Sequence, residues 1–247
     1  AAERLRRARL EAESEGLAGF GVPADLQGLP GMADLAGRER KVFASRRAAL
    51  DEQLAAFTRQ AEPAARFAGR QGPLRLLVVG GSLGAKALND MVPQALALIP
   101  PGARPQVVHQ SGARQIDGLR ASYAAAGVEA TLTPFIEDTA SAFANADLVI
   151  SRAGASTVTE IAAVGAAALF VPFPFAVDDH QTTNARFLVE QGGGWLVPQA
   201  ELTPERLAQR LQRLTREQLV QCAQQAYQQR KTNATREVVM ACEELAA

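Results

Sequence analysis

Residues 63–247 predict an α/β fold, a Rossmann-like parallel sheet with helices on both faces, and residues 1–62 predict a helical segment preceding it. Three observations carry this. Beyond Gly72, short apolar runs alternate with amphipathic stretches, which is the pattern of β-α repeats rather than of hairpins. Two of the runs end in glycine-rich turns, Gly80-Gly81-Ser82-Leu83-Gly84 and Ala153-Gly154-Ala155-Ser156-Thr157, and each turn leads into a helix. Near Pro63 the composition changes, from charged and alanine-rich sequence to the alternating pattern.

Residues 3–15 read as a polar helix, and residues 16–31, broken by Gly16, Pro23, Pro30 and Gly31, as a loop. Residues 34–60 are again helical, with Leu35, Val42, Leu50, Leu54 and Phe57 recurring at threes, fours and sevens. So narrow a stripe suits a helix lying on a partner, or half of a coiled coil. The second part opens with a strand over 74–79 and a helix over 85–98. Strands at 106–109 and 130–133 flank a helix near 116–126. A short helix over 140–144 and a strand over 148–150 follow, then a helix over 157–164 and a strand over 168–171. A helix over 181–191 and a strand at 195–197 complete the alternation, and a last helix runs roughly over 217–245. Right-handed crossovers place the C-terminal end of every strand on one rim, where ligands of such sheets bind.

Hydrophobic residues make up 47% and charged residues 21%, enough apolar material for a sizeable core. With 5% aromatics, Leu, Val and Ala must fill it. The formal net charge is zero, so the overall balance gives no reason to expect a nucleic acid partner. Cys222 and Cys242 lie far apart, and no spacing links them to the histidines; no metal site is expected and a reducing cytosol fits. No apolar run is long enough to span a bilayer, and the arginine-rich first residues lack the core of a signal peptide. A cytoplasmic location is expected.

Both glycine-rich turns suit an anion. Bare Gly80 and Gly81 let the backbone approach a phosphate, the helix behind them offers free N–H groups and its dipole, and Ser82 adds a hydroxyl. The spacing is neither that of a dinucleotide-binding fingerprint nor that of a P-loop, which excludes the usual NAD and ATP motifs. In the second turn Ser156 or Thr157 either caps the helix or meets a phosphate oxygen. Glu160, near the start of that helix, is favoured by the dipole and is placed to accept from a ribose diol. Singly, each turn is equally well a tight strand-to-helix connection. Two on one rim favour a diphosphate. A loop over 173–185 adds Gln181 and Asn184, paired amides of the kind that read sugar hydroxyls. His180 reads as exposed and His109 as a strand end.

Several separated stretches then occur in the order of one known family. They are Leu76-Leu77-Val78-Val79-Gly80-Gly81-Ser82-Leu83-Gly84-Ala85, His109-Gln110-Ser111-Gly112, Phe135-Ile136, Ser151-Arg152-Ala153-Gly154-Ala155-Ser156-Thr157-Val158-Thr159-Glu160-Ile161-Ala162, and Asp179-His180-Gln181-Thr182-Thr183-Asn184-Ala185. From about Pro63 onward the chain resembles the C-terminal half of the MurG family, glycosyltransferases that add N-acetylglucosamine from UDP to the lipid-linked muramoyl-pentapeptide of cell-wall (peptidoglycan) synthesis. The resemblance implies the donor-binding half of a two-domain GT-B fold. By resemblance Ser82 contacts the diphosphate, and backbone groups at Ile136 read the uracil. Ala155, Ser156, Thr157, Val158, Thr159 and Glu160 hold the phosphates and ribose, with Gly80, Gly81, Gly154 and Asn184 in support. Gln181 contacts the N-acetylglucosamine.

Two family segments have no counterpart. The G-G-T-G-G-H loop of the N-terminal domain, which binds the lipid acceptor and supplies the proposed general base, does not occur, nor does the N-P-V-R segment before the C-terminal domain. Residues 9–60 instead resemble, through Leu10-Glu11-Ala12-Glu13-Ser14-Glu15-Gly16 and Val42-Phe43-Ala44-Ser45-Arg46-Arg47-Ala48-Ala49-Leu50, the helical hairpin of HlyD-type secretion adaptors. If both resemblances hold, the chain is a chimera.

The resemblance therefore implies an inverting N-acetylglucosaminyltransferase half with UDP-N-acetylglucosamine as donor and no cofactor. Asp178-Asp179 is an adjacent pair and not a metal-binding D-x-D motif, which fits a leaving group stabilised by dipoles. Activity of this chain alone is expected to be absent or weak. The lipid-linked acceptor would be a partner only with a complementary domain supplied, and the family allows peripheral association with the cytoplasmic face of the inner membrane. The rival reading is a non-enzymatic helical adaptor fused to a passive Rossmann-like scaffold.

Overall fold

The computed structural model describes residues 1–14, 19–81 and 84–231. Ser82, given a diphosphate contact above, lies outside the described residues, as do Leu83, the stretch 15–18, and residues 232–247, which hold Cys242 and the rest of the helix expected over 217–245. Described residues fall into two compact units, 1–56 and 57–231.

The first unit is built on α1 (Ala2–Ser14) and on the long α2 (Met32–Thr58) up to residue 56; α2 begins and ends two residues before the predicted bounds. Leu5, Leu26, Met32 and Ala36 form a small apolar cluster, joined by Phe20, Val22 and Leu35. Among its described residues, the intervening glycine- and proline-broken stretch contains one 3-10 turn, Ala24–Leu26. Arg9 ties α1 to α2 by donating from Nε to Glu39 Oε2 at 2.7 Å, with both side chains nearly buried. Val42, counted in the apolar stripe, is instead 40% exposed, because α2 turns a different face to this cluster.

The second unit opens with α3 (Pro63–Phe67), which sequence periodicity did not reveal. Five residues are too few to show a period, although Pro63 at the first helical position suits a helix start. There follow β1 (Arg75–Val79), α4 (Lys86–Ala97), β2 (Gln106–Gln110), α5 (Ile116–Ala126), β3 (Thr131–Thr133) and α6 (Thr139–Asn145). Then come β4 (Leu148–Ser151), α7 (Ala155–Val164), β5 (Ala168–Phe170), α8 (His180–Val189), β6 (Trp195–Leu196), α9 (Pro204–Arg213) and α10 (Arg216–Gln228). Like α3, α9 was missed, though Thr203 at its N-cap, Pro204 at its first position and the Leu207–Leu211 spacing announce it.

All five strand pairings are parallel, in the order β3-β2-β1-β4-β5-β6. Every residue of β4 and β5 is buried, which explains their continuous apolar runs: central strands of a parallel sheet are covered on both faces. Alternation along the strands divides the core. Leu76, Val78, Leu148, Ile150 and Leu169 pack with Leu88, Val92 and Leu96 of α4, Leu119 of α5, and Leu207 and Leu211 of α9. The alternate residues Leu77, Val149, Ala168 and Phe170, equally buried, face the side of α6, α7 and α8.

Opposite the ligand rim, α3 locks the base of the sheet. Arg66 donates to the carbonyls of Ala144, Val164 and Gly165, the ends of α6 and α7, where a cation suits the helix dipoles. Arg70 donates from Nη1 to Asp147 Oδ1 at 2.6 Å, and Arg75 N–H donates to Asp147 Oδ2 at 2.9 Å. The Asp147 carboxylate is fully buried, so the ion pair and backbone donor compensate its lost hydration.

Candidate functional site

The strand order reverses between β1 and β4, so the turns after them leave the same rim toward opposite faces of the sheet. Between such turns an open α/β sheet forms its ligand crevice. The two glycine-rich turns of the sequence are these two turns.

None of the three glycines of the first turn offers its N–H to a ligand; that of Gly84 donates to Gly81 O at 3.0 Å. Gly80 N–H donates to Gln110 O at 3.0 Å, and Gly81 N–H to Gln110 Oε1 at 3.0 Å. Their contribution is steric and conformational. A Cβ on Gly80 would lie 2.9 Å from Ala85 N, and Gly81 holds φ at +78° with open space where its side chain would be. At Gly84, with φ +76°, a Cβ would lie 2.2 Å from Ser111 O, so the turn can be followed by glycine alone. The first bond of α4 runs from Asn89 N–H to Ala85 O, which leaves the first-turn N–H groups of the helix, not those of the glycines, to meet an anion.

Beneath this turn lies a buried chain of polar groups. Asn89 Nδ2 donates to Gln115 Oε1 at 2.8 Å, while its Oδ1 lies 3.0 Å from His109 Nε2, and His109 Nδ1 lies 3.0 Å from the Tyr123 hydroxyl. Burial pushes His109 down to about 3, so the ring is neutral. Donation from Nε2–H to Asn89 and acceptance at Nδ1 from Tyr123 satisfies both nitrogens. As the sequence indicated, His109 serves the strand end.

The second turn is capped by no side chain. Gly154 is the N-cap of α7, and Val158 N–H donates to Gly154 O at 3.0 Å, so the N–H groups of Ala155, Ser156 and Thr157 remain open. Ala155 and Ser156 are exposed and Thr157 is half-buried, whereas Val158 is buried in the core and Thr159 Oγ1 donates back to Ala155 O. Glu160 is half-buried with no hydrogen bond or ion pair among the described residues, and desolvation raises its pKa.

Gln181 and Asn184 act first as braces. Gln181 Oε1 accepts from Ala153 N–H at 3.3 Å and from Phe173 N–H at 2.9 Å, while Asn184 Nδ2 donates to Ala153 O at 3.0 Å. They hold Ala153, the residue before Gly154, by its N–H and its C=O, and Gln181 ties it to the loop after β5. The Gln181 Nε2 group has no partner among the described residues. Asp178 and Asp179 sit in that loop at φ +52° and +50°, left-handed positions uncommon for a residue with a side chain.

Sequence reasoning singled out no role for Arg152 or Gln110. Arg152 donates to the carbonyls of Val171 and Pro172 and to Gln199 Oε1, and lies over the Phe173 ring at 5.5 Å, fixing the start of the β5–α8 loop. The one sequence hint for either residue is a polar side chain at the end of an apolar strand. On the far side of the rim Ile136 is half-buried in the β3–α6 loop, and neither its N–H nor its C=O has a partner among the described residues. Among the described residues no group of three or more His, Cys, Asp or Glu could hold a metal ion, and no helix is long and apolar enough to cross a membrane.

Residues 75–240 match the model of the glycosyltransferase family 28 C-terminal domain. The chain is 73% identical over 191 residues to the UDP-N-acetylglucosamine--N-acetylmuramyl-(pentapeptide) pyrophosphoryl-undecaprenol N-acetylglucosamine transferase of Polaromonas sp. (strain JS666 / ATCC BAA-500), covering 77% of this chain and 49% of that protein. It is 74% identical over 192 residues to the protein of the same name from Paracidovorax citrulli, covering 78% and 54%. The crystal structure of Acinetobacter baumannii MurG superposes with a TM-score of 0.69 at 43% identity, over 76% of this chain and 55% of that one. The chain thus spans about half the length of the curated relatives it matches.

Proposed function

The chain belongs to the family of glycosyltransferase family 28 C-terminal domains, and we propose on that footing that it is the donor half of an N-acetylglucosaminyltransferase, binding UDP-N-acetylglucosamine through residues 63–247. Residues 1–62 are taken as a separate helical segment. The observation that carries the reading is the uncapped start of α7, set against the start of α4 across the point where the strand order reverses. Two open helix N-termini converge there, and the diphosphate is the anion that suits them.

The uracil sits against the N–H and C=O of Ile136, which have no partner among the described residues. The ribose diol donates to Glu160, whose carboxylate has no competing partner among the described residues. Gln181 Nε2 reaches a sugar hydroxyl while Oε1 holds the loop, and Ser82 adds a diphosphate contact. When an acceptor hydroxyl displaces UDP at the anomeric carbon, negative charge builds on the leaving diphosphate. The first-turn N–H groups of both helices stabilise that charge without reorganising. Deprotonating the acceptor is the work of the complementary half. The relatives' name specifies an undecaprenol-linked acceptor, which would bring the assembled enzyme to the cytoplasmic face of the inner membrane.

The test is a calorimetric titration of the folded chain with UDP and with UDP-N-acetylglucosamine. Saturable one-site binding is expected, with no transfer of sugar from the chain alone. A chain folded by circular dichroism that binds neither nucleotide refutes the reading.

A further inference from the structure

We propose that Gln110 is a positioning residue that sets the spacing between the base end and the diphosphate end of the nucleotide site; this rests on the donor-site reading above. β2 lies between β1 and β3, and Gln110 is its last residue, in register with Val79 on one side and Thr133 on the other. Its side chain bridges the two flanking loops. Oε1 accepts from Gly81 N–H at 3.0 Å, and Nε2 donates to Gly81 O at 3.1 Å and to Pro134 O at 3.0 Å. The first two bonds clamp one residue of the turn leading to α4, Gly81, by its N–H and its C=O. The third ties that turn to the loop that carries Ile136.

No other side chain of the standard set supplies this combination at this reach. Asparagine is one methylene shorter, ionised glutamate has no donor, and lysine has no acceptor. Gln110 is 3% exposed, so bonds lost there are not readily replaced by bonds to water. A nucleoside diphosphate touches both loops at once, with its base on one and its diphosphate on the other. Its affinity therefore depends on their spacing, whereas a ligand of one loop does not.

Gln110→Met keeps the length of the side chain and removes all three bonds. Its Kd for UDP, measured by calorimetry well below Tm, is expected to rise by about tenfold or more. Val107→Ala, a core truncation on the same strand, should lower Tm while leaving Kd within about twofold. A folded Gln110→Met that binds UDP within about twofold of the unsubstituted chain overturns the proposal, as does a Val107→Ala that weakens binding equally. Should Gln110→Met fail to fold, amide hydrogen exchange of the unsubstituted chain gives the answer. Uridine, which reaches the base loop and Glu160 but not the turn before α4, should slow exchange at Gly81 in that turn. Protection at residues 135–137 with exchange at Gly81 unchanged overturns the proposal. An unsubstituted, folded chain that binds no UDP counts against the donor site itself, a result separable from these.

Discussion

Glu160 sits half-buried on α7 with no cation or donor against it among the described residues, so its environment favours the neutral acid while the proposed ribose contact requires the carboxylate. Its pKa is raised in the folded state, so the folded chain holds this proton more tightly than the unfolded chain. The resulting stabilisation is present at low pH and is lost as pH rises from the usual carboxylate value of 4.5 through the raised one. Glu160→Gln is therefore expected to raise Tm at neutral pH, by about 1–3 °C, while weakening UDP binding, a pair of shifts readable by calorimetry on one sample. His109 has the opposite sign. Burial lowers it from 6.5 to about 3, so on acidification the unfolded chain takes a proton that the folded chain refuses. Within that window urea denaturation should show stability falling by up to about 1.4 kcal/mol per pH unit, and His109→Gln should flatten the slope. Tyr123→Phe leaves Nδ1 without its donor and should cost about 1–3 kcal/mol in the same assay.

At the scale of elements, α7 contrasts with α9 and α10. Thr203 caps α9, and Thr215 with Gln218 forms a capping box on α10, yet α7 begins at Gly154 with no side-chain cap. The two capped helices keep their first turns satisfied by their own sequence, while α7 keeps its first turn open. Gly154 has φ −63° and ψ 149°, ordinary for a capping residue, and a Cβ there would meet Thr157 Oγ1 at 3.8 Å, a normal contact. Gly154→Asp should therefore fold, cap α7 and add about 1 kcal/mol of stability by urea denaturation. It should also abolish UDP binding, because its carboxylate occupies the donors and repels the diphosphate. Retained UDP affinity in a stabilised Gly154→Asp would show that the start of α7 is not the anion site. Gly154→Ala, which brings no cap, is the matched control.

For the whole molecule, the rim that binds and the base that holds are built from opposite ends of the same strands. Asp147 lies at the base, fully buried and served by Arg70, the Arg75 N–H and, at 3.7 Å, Arg216. Arg70→Met strands that carboxylate and should cost about 3–5 kcal/mol in urea denaturation, with the UDP Kd of the folded chain unchanged. A changed Kd would mean that base and rim are not independent. Much of this architecture was legible in the sequence. The runs at β1, β4 and β5, the glycines at 80, 81, 84 and 154, and their strand-to-helix setting specify a parallel sheet with a crevice between two turns, because periodicity and backbone sterics are local properties. The short α3 carried too few residues to show a period, and α9 went unread although its cap and leucine spacing were there. What only the tertiary structure decided is how polar groups divide their bonds. It shows that Gly80 and Gly81 give their N–H groups to Gln110, that Gln181 spends its oxygen on a brace, and that Glu160 has no partner among the described residues. Such pairings join residues far apart in the chain, through side chains whose composition offers several equal alternatives, and packing the strands side by side selects one of them.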